Sequence, residues 1–259
     1  MRLASVVHRH WVVYASTFLA NALPAFFEPL LFLTAIGLGL GAYVTEGVAG
    51  LPMGAFMGPG ALAMTAMFTA SFETTYGTFV RLVYQKTYEG MLATPLSPGD
   101  VFLGEVLWCG CKGFMFTSIV LIVFLVFGFF NDWWRFINGW ALPLIPVVGA
   151  CCSLLFAGLG LHVAAVTKNM NNFNLFISGV LSPMSLFSGM VFPVSDLPPI
   201  LREIAFALPL FHVTELNRLL LFGPQACVSF VWVCPIYLVV VTSLLVTNGV
   251  RVMSNRIVQ

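Results

Sequence analysis

Three ionisable side chains stand well inside apolar stretches of this 259-residue chain: Glu28, Glu73 and Lys112. A charge at the centre of a membrane-embedded helix costs about 2.5–3.5 kcal/mol on insertion scales, so each of them must face protein or water. Glu73 descends one apolar run toward a membrane face, and Lys112 rises from that face on the next run. Both lie roughly 10–16 Å from the face at 1.5 Å per residue. That placement predicts an ion pair between adjacent antiparallel helices. Glu105, two turns below Lys112 on the same face, is a competing partner. A proton relay through Glu73 or Glu28 is the other chemistry open to these carboxylates.

A second polar group, His212, Glu215 and Arg218, recurs at three-residue steps near the end of the chain. It reads either as a brace for an outer gate or as a contact for a transported molecule. His162 reads as a hydrogen-bonded helix residue rather than a ligand. Four of the six cysteines sit inside apolar runs as C-x-C or adjacent pairs, spacings poorly suited to zinc, and Cys227 and Cys234 flank the start of the last run. No metal site and no catalytic residue is assigned. The phosphate-binding pattern G-x-x-x-x-G-K-[ST] does not occur, so the chain has no means of hydrolysing ATP alone.

Composition determines what must position these groups. The chain is 59% hydrophobic and 8% charged, with a mean hydropathy of +0.97. Soluble domains carry about 25% charged residues, so this chain lacks the surface for water and reads as an all-α polytopic membrane protein. A net charge of +1 gives no case for nucleic-acid binding. Apolar runs of about the 20 residues needed to cross a bilayer predict six transmembrane helices, over 22–43, 55–80, 101–130, 141–166, 173–192 and 228–250. Trp133, Trp134 and Trp140 read as an aromatic belt between the third and fourth.

Residues 1–20 carry no cleavable leader pattern and instead read as an amphipathic helix lying in the interface. Leu3, Val7, Trp11, Tyr14 and Phe18 form one stripe, with Arg2, Ser5, Arg9 and Ser16 opposite. The segment 81–100, RLVYQKTYEGMLATPLSPGD, is a polar handle between two spans. Residues 193–226 are too short in their apolar pieces to cross, and Pro193, Pro198, Pro199 and Pro209 break them into a re-entrant or interfacial helical hairpin. With both termini cytoplasmic, Arg2, Arg9, Arg81, Lys86, Lys168, Arg251 and Arg256 lie inside against Arg135, Arg202 and Arg218 outside. The handle is then cytoplasmic and the hairpin extracytoplasmic. No internal repeat of the secondary-transporter kind is visible.

Several stretches, in order along nearly the whole chain, resemble the membrane subunit of type-2 ABC exporters, and most closely the NodJ-like lipo-oligosaccharide export permeases. They are FFEPLLFLTAIGLGLG, ASFETTYGTF, QKTYEGMLATPLSPGDVFLGE, AVTKNMNNF and FSGMVFPVSDLPPILREIAFALPLFHVTELNRLLLFG. The resemblance implies six spans per subunit, an N-terminal interfacial helix, two copies of the chain per pore, and two ATPase subunits that bind ATP and Mg. It makes the handle a coupling helix, with Lys86, Tyr88, Glu89, Gly90, Met91 and Leu92 docking on the ATPase. It further implies a single permease domain in a bacterial inner membrane, moving an amphiphilic cargo outward: a lipo-oligosaccharide, polysaccharide or lipid. A multidrug or antibiotic export permease is the alternative within this architecture, and an ion-coupled secondary transporter using Glu28 or Glu73 is the alternative outside it.

Overall fold

Long apolar runs bounded by proline, glycine or capping residues become helices in a computed structural model, which describes residues 2–19, 47–227 and 231–258 and isolated positions between 23 and 43. Most of the predicted span over 22–43, and with it Glu28, lies outside the described residues. So do 228–230, at the start of the predicted last span.

Helix α1 is Arg2–Ala15. The long helix α2, Met53–Tyr84, leads to a short helix α3, Thr87–Leu92, and then to α4, Pro98–Phe130. A 3-10 turn opens α5, Gly139–Val166, and α6 covers Asn171–Met190. Two shorter helices follow, α7 at Pro199–Ala207 and α8 at Pro209–Phe222, before α9 at Cys234–Val258. Among the described residues, five helices are long and apolar enough to cross a membrane: α2, α4, α5, α6 and the one containing α9. Helices α7 and α8 meet at Leu208 with a bend of 83°.

The start of α4 shows how local sequence sets an end. Ser97 Oγ accepts from the Asp100 amide at 3.1 Å, and Asp100 Oδ2 accepts from the Ser97 amide at 3.1 Å, with Pro98 at the first helical position. Such a reciprocal cap stabilises a helix start by about 1 kcal/mol. Asp100 therefore belongs to the third predicted span rather than to the handle. At the other side of the handle, α2 continues through Tyr84, so Arg81 is helical and the connector is shorter than 81–100.

Small residues let the crossing helices touch. A Cβ on Gly249 of α9 would stand 2.3 Å from the Gly158 carbonyl oxygen of α5, so the two backbones lie in direct contact. This is the close approach that glycine permits between membrane helices. The same device brings α1 onto α4, since a Cβ on Gly104 would lie 2.5 Å from Val6 Cγ1. Val6, His10 and Tyr14 of α1 are buried, and Trp11, Val12 and Val13 are exposed. The face against the body thus differs from the predicted stripe. Position 104 has no side chain to hold α1 away, and the 6–10–14 row drops into that gap.

Helix α6 is interrupted. Its hydrogen-bond ladder widens at Ile177–Leu181 and again at Leu186–Met190, where Ser188 and Gly189 leave helical geometry and Gly189 takes φ +74°. In the predicted aromatic belt, Trp134 and Trp140 are exposed, but Trp133 is buried against Phe124 and Phe127.

Candidate functional site

Where α1, α2, α3 and α4 converge, four charged side chains form one buried network. Glu73 lies in a wide π turn, Glu73–Gly77, near the end of α2. Arg81 follows eight positions later, a spacing that on a regular helix would point it about 80° away from Glu73. One residue absorbed by the wide turn leaves Arg81 as if seven positions on, within about 20° of the Glu73 face. Its Nη1 then donates to Glu73 Oε1 at 2.8 Å.

The same guanidinium continues outward from α2. Arg81 Nη2 donates to Glu105 Oε2 of α4 at 2.8 Å, and Nε donates to the Tyr88 hydroxyl of α3 at 3.2 Å. Tyr88 passes the contact on, donating to Glu105 Oε1 at 2.8 Å. His10 Nε2 of α1 lies 3.0 Å from that same oxygen. On the other side, Lys112 Nζ donates to Glu73 Oε2 at 2.8 Å and stands over the Tyr14 ring of α1, 5.1 Å from its centroid. Glu73 and Lys112 are therefore paired across α2 and α4, while Glu105 is held by Arg81, Tyr88 and His10 rather than by Lys112.

Two carboxylates face one guanidinium and one ammonium, so the quartet balances. Glu105 is fully buried, and removing one partner of such a group typically costs about 3–5 kcal/mol because the other charge is left uncompensated. Burial first, and then the Glu105 carboxylate, push the Tyr88 phenol above the usual tyrosine range. Its hydroxyl keeps its proton and serves as the donor to Glu105. His10, Glu73 and Glu105 also bring ligand atoms within 4.8 Å of one another, a spacing usable by a metal ion. Arg81 and Lys112 already place cationic nitrogens against both carboxylates, so the charge such an ion would supply is built in.

Helix α3 has two sides. Tyr88 and Met91 are buried, and Tyr88 is 1% exposed, with its ring packed edge-on to Phe102. Lys86, Glu89 and Gly90 face outward, and Leu92 is half-buried. Lys86 Nζ and Glu89 Oε1 are 3.9 Å apart on that open side. The expected docking set therefore splits. Tyr88 and Met91 fasten α3 to the body, because the phenol and the thioether each find their best surroundings there, and only the other face is open to a partner.

The second predicted group also divides. Glu215 and Arg218, one turn apart on α8, form a buried ion pair, and Arg218 Nη2 donates to the Gly189 carbonyl at 2.7 Å. Arg218 also covers the Phe56 ring at 4.5 Å. His212 does not join them. It is stacked on Tyr237 of α9 at 3.9 Å, with Nδ1 3.2 Å from Cys234 Sγ and Nε2 2.9 Å from the Phe206 carbonyl oxygen. Six residues on a helix turn Arg218 about 120° away from His212, which separates their surroundings.

Arg81, His10 and Tyr88 join the first network although the sequence patterns place none of them in it, Tyr88 being expected on the docking face instead. The π turn hides Arg81, and the apparent amphipathic stripe hides His10. The available signal is charge balance: Glu73, Glu105 and Lys112 leave one carboxylate over, and Arg81 is the basic residue on α2 that can meet it.

Comparison with known proteins gives a consistent grouping. The profile of the family described as ABC-2 type transporter matches residues 1–222. The chain is 35% identical over 239 residues to Nodulation protein J of Rhizobium leguminosarum bv. viciae, covering 91% of this chain and 89% of that one. It is 36% identical over 214 residues to Nodulation protein J of Sinorhizobium fredii, covering 83% and 79%. It is also 20% identical over 210 residues to the Inner membrane transport permease YadH of Escherichia coli K12, covering 81% and 77%.

Proposed function

The chain belongs to the ABC-2 type transporter family, and on that premise we propose that it is the half of an export machine that receives motion from a separate ATPase through α3. It is an integral multi-pass membrane protein and the membrane permease of an ABC exporter. In the proposed assembly, two copies of this chain sit on two ATPase subunits. ATP and Mg are bound by those partners, and both termini lie on the cytoplasmic side of a bacterial inner membrane. The cargo is an amphiphile carried outward, with a lipo-oligosaccharide as the leading candidate.

The single observation that carries this reading is the joint at Arg81. A loop that only connected two spans would need no buried contact. Here the short helix is bolted through Tyr88 to Glu105 of α4, and through Arg81 to Glu73 of α2. A force applied to the open face of α3 moves both helices, and α1 with them through His10. Charge-assisted bonds in a dry site are short and directional, which suits a rigid transmission element. A balanced quartet with its partners in place is also a poor proton relay, since every carboxylate oxygen is already engaged by a cationic or hydroxyl donor or lies against His10.

The test is reconstitution of the chain with its ATPase in sealed vesicles, following uptake of a fluorescent lipo-oligosaccharide into inside-out vesicles. Transport should require ATP hydrolysis and survive collapse of the proton gradient. Transport that persists without ATP and stops with the gradient would sink the proposal in favour of an ion-coupled carrier.

A further inference from the structure

At the end of α2 remote from α3, a cleft of about 580 Å³ opens between the α7–α8 hairpin and the start of α2. Phe56 and Phe206 supply apolar wall, while Arg202, Glu203, Glu215 and Arg218 supply polar wall. Phe56 stands 25 positions before Arg81 on α2, about 37 Å at 1.5 Å per residue, so this cleft is independent of the Arg81 joint.

Its floor is a built polar surface. Arg218 is 4% exposed, pairs with Glu215, donates to the Gly189 carbonyl and keeps one nitrogen, Nε, without a partner. That nitrogen is itself closed to solvent, so this floor is a fixed charged base and the groups open to the cleft lie above it. Arg202 and Glu203 on α7 line the same cleft and make no ion pair among the described residues. Helix α7 therefore presents two charged groups that have no ion-pair partner among the described residues.

The character of these groups selects a ligand. The two guanidinium groups and two carboxylates of the described lining cancel, so they give a free anion or cation no net field. A hydroxyl group both donates and accepts, and can use a carboxylate and a guanidinium together. Phe56 lies beneath Arg218, so the half-buried Phe206 is the ring that can meet the C–H face of a ligand, and the volume lies within the roughly 300–1,000 Å³ usual for small-ligand sites. We infer that this cleft binds the uncharged polyhydroxylated head group of an amphiphile, a saccharide unit, between α7, α8 and the start of α2. It rests on the permease reading in taking that head group as part of the cargo.

The test uses the full-length chain with its ATPase partner in phosphatidylcholine nanodiscs. One sample is photolabelled with octyl glucoside carrying a diazirine on the sugar, another with octyl phosphate carrying the same diazirine, and adducts are mapped by mass spectrometry. The glucoside probe should label peptides spanning 199–206 and 215–227 in preference to the phosphate probe, and excess octyl glucoside should remove the label. The double substitution Arg202→Gln with Glu203→Gln, at residues away from the buried floor, should lower labelling about five-fold or more, the effect of one lost hydrogen bond. Equal labelling by the phosphate probe, label spread along the spans without enrichment at the cleft, or unchanged labelling in the double variant would each overturn the inference. Loss of ATP-driven transport in vesicles with cleft labelling intact would instead remove the permease reading and leave the site standing.

Discussion

Arg81 and Glu105 meet at 2.8 Å although 24 positions, including all of α3, separate them in the chain. The contact closes the loop between α2 and α4 into a ring whose far side is α3. Its worth follows from burial: a charge-assisted pair gains strength away from water but leaves a large penalty when halved.

Arg81→Gln should therefore lower the melting temperature of the purified protein substantially, by an amount corresponding to about 3–5 kcal/mol. Adding Glu105→Gln should recover part of that loss, because neither charge is then left alone. Thermal melts in one lipid composition would measure both. A double variant no more stable than Arg81→Gln would mean that the two residues are not coupled.

Tyr88→Phe removes one hydroxyl placed between Arg81 Nε and Glu105 Oε1. We expect a loss of about 1–3 kcal/mol for the unsatisfied buried groups. Cargo moved per ATP should fall more than membrane insertion or ATPase binding does. Unchanged transport per ATP would show that the α3 bolt carries no thrust.

Glu89→Arg tests the opposite face of the same helix. Glu89 is exposed beside Lys86, so stability should change by no more than about 0.5 kcal/mol. Co-purification with the ATPase, and stimulation of its activity by cargo, should weaken. Normal binding and stimulation would take the docking role away from this face.

Gly104→Ala places a methyl 2.5 Å from Val6 and should push α1 off α4, at a cost of about 1–3 kcal/mol. Trypsin cleavage after Arg9 should accelerate in folded protein. An unchanged cleavage rate would show that α1 is not held at this crossing.

Glu73→Gln separates structural pairing from proton transfer. With Lys112 and Arg81 both losing a partner, stability should fall and transport should fall with it. A fully stable variant with normal ATPase binding and no transport would revive the proton-relay reading.

The pairing of Glu73 with Lys112 was legible because it needed only depth: two charges counted from the same face of two antiparallel spans. Arg81 was not, because its eight-residue spacing from Glu73 points off-face until a π turn removes one residue from the count. Periodicity at 100° per residue likewise puts the apolar row of α1 at Leu3, Val7, Trp11, Tyr14 and Phe18, of which Tyr14 is buried. The packed row is Val6, His10 and Tyr14, a choice made by Gly104 on another helix. The pairing of Glu215 with Arg218 follows from one-turn spacing, whereas the separation of His212 depends on Tyr237 and Cys234, residues that no local pattern connects to it. The helices and the apolar nature of the fold are local properties and were readable. Contacts that depend on a third helix were not.

The backbone contact of Gly158 with Gly249 locks α5 and α9 side by side, while α6 carries two widened turns and a left-handed residue. In mechanical terms the subunit pairs a beam with a hinged strut. On the proposed drive through α3, a displacement should yield where the ladder is already open, in α6. Because Gly189 of α6 is tied to Arg218, bending at that end of the strut should pull directly on the floor of the cleft remote from α3.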